Sequence, residues 1–201
     1  RAQIGGGSRF VTASLSFGGA LVRNETHAVL AGEGIECAMN GLYLARGHQH
    51  VDNHTVIEHA KPNCSSRELF KGILDGRAKA VFNGRIHVHP QAQKTDSKQT
   101  NRCILLSDDA QINTNPQLEI YADDVKCSHG TTVGQLEPAQ LFYLRTRGID
   151  AATASRMLCM GFATEILAGC SVEGFGARVE HRIGQLLADA TAGETGDAHH
   201  V

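Results

Sequence analysis

Up to about residue 134 the apolar and polar positions of the chain alternate with period two. The runs RFVTASLS, ALVRNETHAVL, IECAMNGLYLA, HTVIEHA, RAKAVFNGRIHVH and QLEIYADDVKCSH keep this rhythm, and GGG, FGG, GEG, DDA and NTNP separate them. Short alternating runs bounded by turn residues predict strands. One interruption is expected at SSRELFKGIL, which reads as a short helix with Ser65 or Ser66 as its cap and Glu68 in the first turn. No strict repeat at a fixed period is visible, so the strand pattern fits a β-solenoid and a sandwich equally well.

Beyond Gly134 the period becomes helical. LEPAQLFYLRTRG has Pro138 in its first turn and Gly148 as a stop, with Leu141, Leu144 and Arg145 at helical spacing. In the following segment Asp150 is the expected cap, and Met157, Leu158, Phe162 and Ile166 form an apolar stripe that ends at Gly169. A third amphipathic segment is FGARVEHRIGQLLADA, and the small, polar TAGETGDAHHV should fray. The expected organisation is a β body over 1–134, a helical domain over 135–190 and a disordered tail over 191–201. The apolar helix stripes suit packing on the β body and a partner groove equally.

Composition narrows the function. A chain of 201 residues is long enough for one domain with a sizeable core and an appendage. It begins at Arg1 and not at a methionine, so we expect a piece of a longer protein. Lys and Arg number 19 against 21 Asp and Glu, which excludes a dedicated nucleic-acid surface or a polybasic membrane anchor. No apolar run approaches the roughly 20 residues of a membrane span. The six cysteines form no CxxC pair, which points to reduced thiols in a cytoplasmic compartment.

Histidines keep metal chemistry in view. Cys127 and His129 sit two apart in a strand-like run, so both project from one face while Ser128 faces away. Two donors are only half of a site, because structural zinc needs four and catalytic zinc usually three. HQHVDNH places His48, His50, Asp52 and His54 on one strand face and approaches the HxHxDH pattern of zinc hydrolases of the metallo-β-lactamase type. The inserted Asn53 breaks that pattern, and a solvated sheet face accounts for the run. His87 and His89 likewise share a face before Pro90. Asp123 and Asp124 are neighbours that point apart, the mark of a turn. Neither a P-loop nor a GxSxG elbow is present, so no complete catalytic set emerges and we expect no enzyme.

The long run from GRIHVHPQAQKTDSKQTNRCILLSDD through YADDVKCSHGTTVGQLEPAQLFYLRTRGI, together with the upstream GLYLARGHQHVDNHTVIEHA, resembles the C-terminal half of the SufB/SufD family of iron-sulfur cluster assembly proteins, from about residue 20 to 168. That resemblance implies a right-handed parallel β-helix followed by a small C-terminal helical domain. It implies a non-catalytic scaffold that pairs with SufB through the β-helix and docks the SufC ATPase through its helices, for which Phe142, Tyr143 and Arg145 are the expected contacts. A transient iron-sulfur cluster shared with SufB would then take His129, with Cys127 beside it, as ligands, and the isolated chain would hold none stably. A SufB-type paralogue is the rival within the family. The SufB scaffold cysteine falls one residue away from Cys103, however, and SufB lacks the KCSHG wording. Uncapped edge strands imply a homodimer when the partner is missing.

Overall fold

The computed structural model describes residues 1–168 and 175–193. Ten strands come first: β1 (Ala2–Ile4), β2 (Arg9–Ser16), β3 (Leu21–Leu30), β4 (Glu36–Ala45), β5 (His50–His59), β6 (Ser65–Leu74), β7 (Lys79–Val88), β8 (Thr95–Leu105), β9 (Gln111–Ile120) and β10 (Val125–Gly134). Three helices follow: α1 (Pro138–Thr146), α2 (Ala151–Ala168) and α3 (Phe175–Gly193).

Odd strands form one parallel sheet in the order β1-β3-β5-β7-β9, and even strands the other, in the order β10-β8-β6-β4-β2. Each strand therefore pairs with the next-but-one in sequence, which makes the body a parallel β-solenoid. Leu21 pairs with His50, His50 with Lys79 and Lys79 with Gln111, a structural period of about thirty residues that lies in the usual solenoid range. The repeat escapes the sequence because only the alternation is shared between coils, and not the residues. At the corners the turns stack as well: Gly47 and Gly76 both adopt positive φ, and Arg77 N–H donates to the Gly47 carbonyl at 2.8 Å.

SSRELFKGIL is strand β6 and not the helix its cap-like start predicts. Pairing with β4 on one side and β8 on the other outweighs the local signal. Period two then sends Ser66, Glu68, Phe70, Gly72 and Leu74 inward. The interior packs by complementary sizes across neighbouring coils. A Cβ on Gly41 would lie 2.2 Å from the Phe70 ring, and one on Gly72 would lie 2.4 Å from the Tyr43 ring. Each large ring thus fills the space above a glycine that carries no side chain.

Helices α2 and α3 cover the outer face of the even-strand sheet, where Leu42, Leu44 and Ile73 meet Cys159, Ala163, Ile166, Leu167, Val179, Ile183 and Leu187. The buried face of α2 is turned away from the expected stripe: Ile166 is buried, but Met157 is exposed, and Ala154, Cys159 and Ala163 take the inner positions. Small residues let the helix approach the sheet closely, and that gain outweighs placing the largest apolar side chains inward. Lys71, with a side chain only 2% exposed, fixes α2 further by donating to the Phe162 carbonyl at 2.8 Å and to the Glu165 carboxylate. Asp150 caps α2 as expected, accepting from Thr153 N–H at 2.9 Å, and Pro138 opens α1. Of the predicted tail, 191–193 close α3 and 194–201 lie outside the described residues.

Gly72→Ala should overpack the Tyr43 ring and lower stability by about 1–3 kcal/mol, read as a reduced urea midpoint with an unchanged slope.

Candidate functional site at the open end of the solenoid

Strand β10 ends its sheet. Its inward positions Val125, Cys127, His129, Thr131 and Val133 pair in register with Thr95, Ser97, Gln99, Asn101 and Cys103 of β8. Those five β8 residues are buried, because β10 lies over them. Nothing among the described strands lies over β10, so His129 and Thr131 occupy interior positions yet are exposed, while Cys127 is half-buried against the core. The structure therefore brings Cys127 and His129 to one face, as the spacing predicts, and places that face at the mouth of the solenoid.

Partial burial raises the Cys127 thiol above its ordinary value, and its hydrogen bond with the Ser97 backbone offsets part of the effect. Cys103 sits one coil deeper and is pushed up to about 12 by burial, which makes it an inert core thiol in this conformation. Cys37, Cys64, Cys103, Cys127 and Cys159 are all free, and Cys170 lies outside the described residues. Among the described residues no three His, Cys, Asp or Glu side chains stand in metal-holding geometry. Thiolate and imidazole are nonetheless competent ligands for iron and iron-sulfur clusters. This chain thus supplies two donors, and a complete set needs others.

The hydrolase-like run does not assemble. His48 lies in the turn before β5, off the face it was expected to share with His50, Asp52 and His54. Asp52 is held by Arg23 at 2.7 Å and by His54 at 2.8 Å on the outer surface. His87 and His89 do share a face, with ring centroids 4.7 Å apart, but His87 bonds Glu119 at 2.7 Å and His89 bonds Glu58 at 2.8 Å. On α1, which buries no residue, Phe142 is 69% and Tyr143 55% exposed, and Arg145 is exposed beside them.

Beneath the mouth lies a polar layer that the alternation did not single out. Glu68 and Gln99 are buried inside the solenoid, and Gln99 Nε2 donates to Glu68 Oε2 at 2.6 Å. Next to them Ser97 and Ser66 share a hydrogen bond of 2.8 Å, and Ser66 meets His59 Nε2 at 2.9 Å. Reading 65–74 as a strand, with Glu68 at an inward position, was the signal available in the sequence. The helical start obscured it.

A parallel solenoid whose last strand offers a thiol and an imidazole at its mouth is the setting in which the comparisons fall. The chain belongs to the family described as SUF system FeS cluster assembly, SufBD core domain, whose model matches residues 1–162. It is 44% identical over 174 residues to the iron-sulfur cluster assembly protein SufD of Escherichia coli (strain K12), covering 87% of this chain and 41% of that protein. It is 39% identical over 160 residues to the SufBD family protein slr0076 of Synechocystis, covering 80% of this chain and 35% of that one. To the chloroplastic protein ABCI7 of Arabidopsis thaliana it is 37% identical over 161 residues, covering 80% and 34%. The chain therefore spans less than half the length of these relatives. No helix among the described residues is long and apolar enough to cross a membrane.

Two buried groups of the polar layer titrate in opposite senses. Burial pushes Glu68 from the ordinary 4.5 up to about 7, and pushes His59 from 6.5 down to about 4. An acid raised in the folded state costs stability as pH climbs between its two values, and a histidine lowered in the folded state costs stability as pH falls between its own. The two slopes oppose each other from about pH 4.5 to 6.5. In Glu68→Gln the first slope is gone, so its stability should gain on wild type by roughly 1.4 kcal/mol per pH unit across that window. Urea melts at half-unit pH steps check this, and a constant difference between the two proteins would contradict it.

Proposed function

We propose that this chain is a non-catalytic scaffold subunit that pairs with SufB across the mouth of its solenoid, docks the SufC ATPase through its C-terminal helices, and contributes His129 to a cluster assembled between the two solenoids. The observation that carries this reading is that an interior face ends in the open: Cys127, His129 and Thr131 stand where another coil would cover them. An exposed sheet edge offers unpaired backbone donors and acceptors to a partner strand. A second solenoid bringing its own edge would complete the pairing and supply the missing ligands. The nascent iron-sulfur cluster is cargo here, held transiently and passed on, and the isolated chain keeps none. Cys127 is the weaker of the two ligands, because its thiol is held protonated until a metal displaces the proton. Without SufB, the same edge on two copies of the chain would meet as a homodimer. The free thiols fit a reducing cytoplasm.

SufC docking rests on α1. Phe142 and Tyr143 are large, exposed and adjacent on a helix that buries nothing, with Arg145 one turn along. Aromatic and arginine side chains make effective anchors in partner pockets.

Co-expression with SufB and SufC, followed by reconstitution with iron and sulfide, tests the ligand assignment. The His129→Ala complex should assemble as wild type does and lose most of its cluster absorbance. Undiminished absorbance would make the Cys127/His129 pair structural and leave the scaffold role standing. In the same system, Phe142→Ala combined with Tyr143→Ala should weaken SufC retention by about tenfold or more while SufB pairing persists. Full retention of SufC would remove α1 from the interface.

A further inference from the structure

The column of inward side chains that ends in His129 runs Thr12, Met39, Glu68, Gln99, His129, one residue per coil, each paired in register with the next. Met39, the neighbour of Glu68 on the side away from Gln99, offers no hydrogen-bonding group that competes for Glu68. Gln99 is 0% exposed, and its two amide ends face different fates. Nε2 donates to Glu68 Oε2 at 2.6 Å, and Oε1 has no hydrogen-bond partner. In its ionised form, which prevails above about pH 7, Glu68 accepts and does not donate, so it then selects the amide orientation that presents nitrogen to itself and keeps oxygen for another donor. A buried acceptor without a partner is costly, and such a group calls for an explanation.

Space is also reserved for this amide. Across the interior stands Gly84 of β7, where a Cβ would fall 2.4 Å from Gln99 Nε2 and 3.0 Å from its amide carbon. Any other residue at 84 would displace the side chain. One coil further on, in register with Gln99, is His129, the last member of the column. Strands in a sheet are about 4.8 Å apart, so His129 is the neighbouring side chain with an N–H that a rotation about its side-chain bonds can bring to the unpartnered amide oxygen.

We propose that Gln99, held in one orientation by Glu68, is a positioning residue that accepts a hydrogen bond from one ring nitrogen of His129 and thereby turns the other nitrogen outward at the solenoid mouth. The role rests on the reading of His129 as an interfacial ligand and adds to it the group that fixes its tautomer. Metal-binding histidines characteristically donate their second N–H to a carboxylate, carbonyl or water, which sets the ring and raises its basicity. Here a carboxylate acts one step removed, through the amide. Glu68 and Gln99 touch neither metal nor partner; they act through His129.

The test reads the imidazole directly. In the full chain with histidine labelled by nitrogen-15, without metal or partner, His129 should show one dominant neutral tautomer. Gln99→Met keeps the length and bulk of the side chain but removes the acceptor, and should return His129 to a mixture of tautomers. Glu68→Gln frees the Gln99 amide to flip and should give a partial loss of the preference. Far-ultraviolet circular dichroism confirms that each variant is folded, and Gly84→Ala, which pushes the amide aside from the opposite sheet, provides a second route to the same change. With Co2+ as probe in the SufB-paired complex, Gln99→Met should weaken binding by about tenfold or more. A tautomer population unchanged in folded Gln99→Met overturns the inference, whatever becomes of the ligand reading. A population that changes as expected while His129→Ala leaves cluster formation intact supports the positioning contact and overturns the ligand reading instead.

Discussion

In this protein each inward side chain is stacked on its counterpart one coil away. Parallel pairing in strict register enforces the stacking, and the close spacing of strands leaves little freedom along the axis. The interior is consequently a set of columns, and each column must solve its own packing. Gly41 beneath Phe70 and Tyr43 beneath Gly72 show one solution, in which ring and void alternate. Ser66 over Ser97 shows another, in which hydroxyls satisfy one another along the column. A column can close on itself anywhere except at its ends. At β10 the columns stop without a cover, and the residues found there are a thiol and an imidazole.

The helical region answers a different requirement. The outer face of the even-strand sheet is apolar at Leu42, Leu44 and Ile73, and α2 and α3 bury it. Lys71 would be an isolated charge on that face, but it is matched by Glu165 and by a helix carbonyl, and its ammonium lies over the Phe162 ring at 4.3 Å. With α2 and α3 occupied in this way, α1 is left with no buried side chain. The fold therefore separates two surfaces, one at the mouth of the solenoid and one on an exposed helix. The short link between Gly134 and Pro138 joins them.

Strands and helices were legible because alternation and the change of period at Gly134 survive in local sequence. The coil repeat was not, because the columns demand compatible neighbours and not identical ones: Met39, Glu68, Gln99 and His129 occupy one column without resembling one another. β6 was misread because Ser65, Ser66 and Glu68 satisfy a local capping pattern, whereas the pairing that overrides it joins residues some thirty positions away. The α2 stripe was misread for a related reason. Apolar size indicates which side chains gain from burial, but the closeness of the sheet favours Cys159 and Ala163 at the contact. Of the candidate site, the shared face of Cys127 and His129 followed from period two, while its position at an uncovered end depended on knowing that β10 is last in its sheet.

The distribution of polarity inside the solenoid tracks the ends of the even-strand sheet. On the even strands the inward residues of β4 are Cys37, Met39, Gly41, Tyr43 and Ala45, those of β6 are Ser66, Glu68, Phe70, Gly72 and Leu74, and those of β8 are Thr95, Ser97, Gln99, Asn101, Cys103 and Leu105. From β4 to β8 polarity thus rises strand by strand, and at the other end of the sheet β2 also turns Thr12, Ser14 and Ser16 inward. On the odd strands the last inward residues, Ile112, Thr114, Pro116, Leu118 and Ile120, are apolar but for one hydroxyl, so the trend is not a general loosening of the core. Buried polar groups left unpaired cost about 1–3 kcal/mol each, and the Asn101 side chain has neither of its polar atoms bonded. A layer of that kind is hard to explain in a sealed core. It is consistent with a layer one strand away from water. An apolar layer in the same place would favour association of exposed edges, whereas amides and hydroxyls are compatible with nearby water.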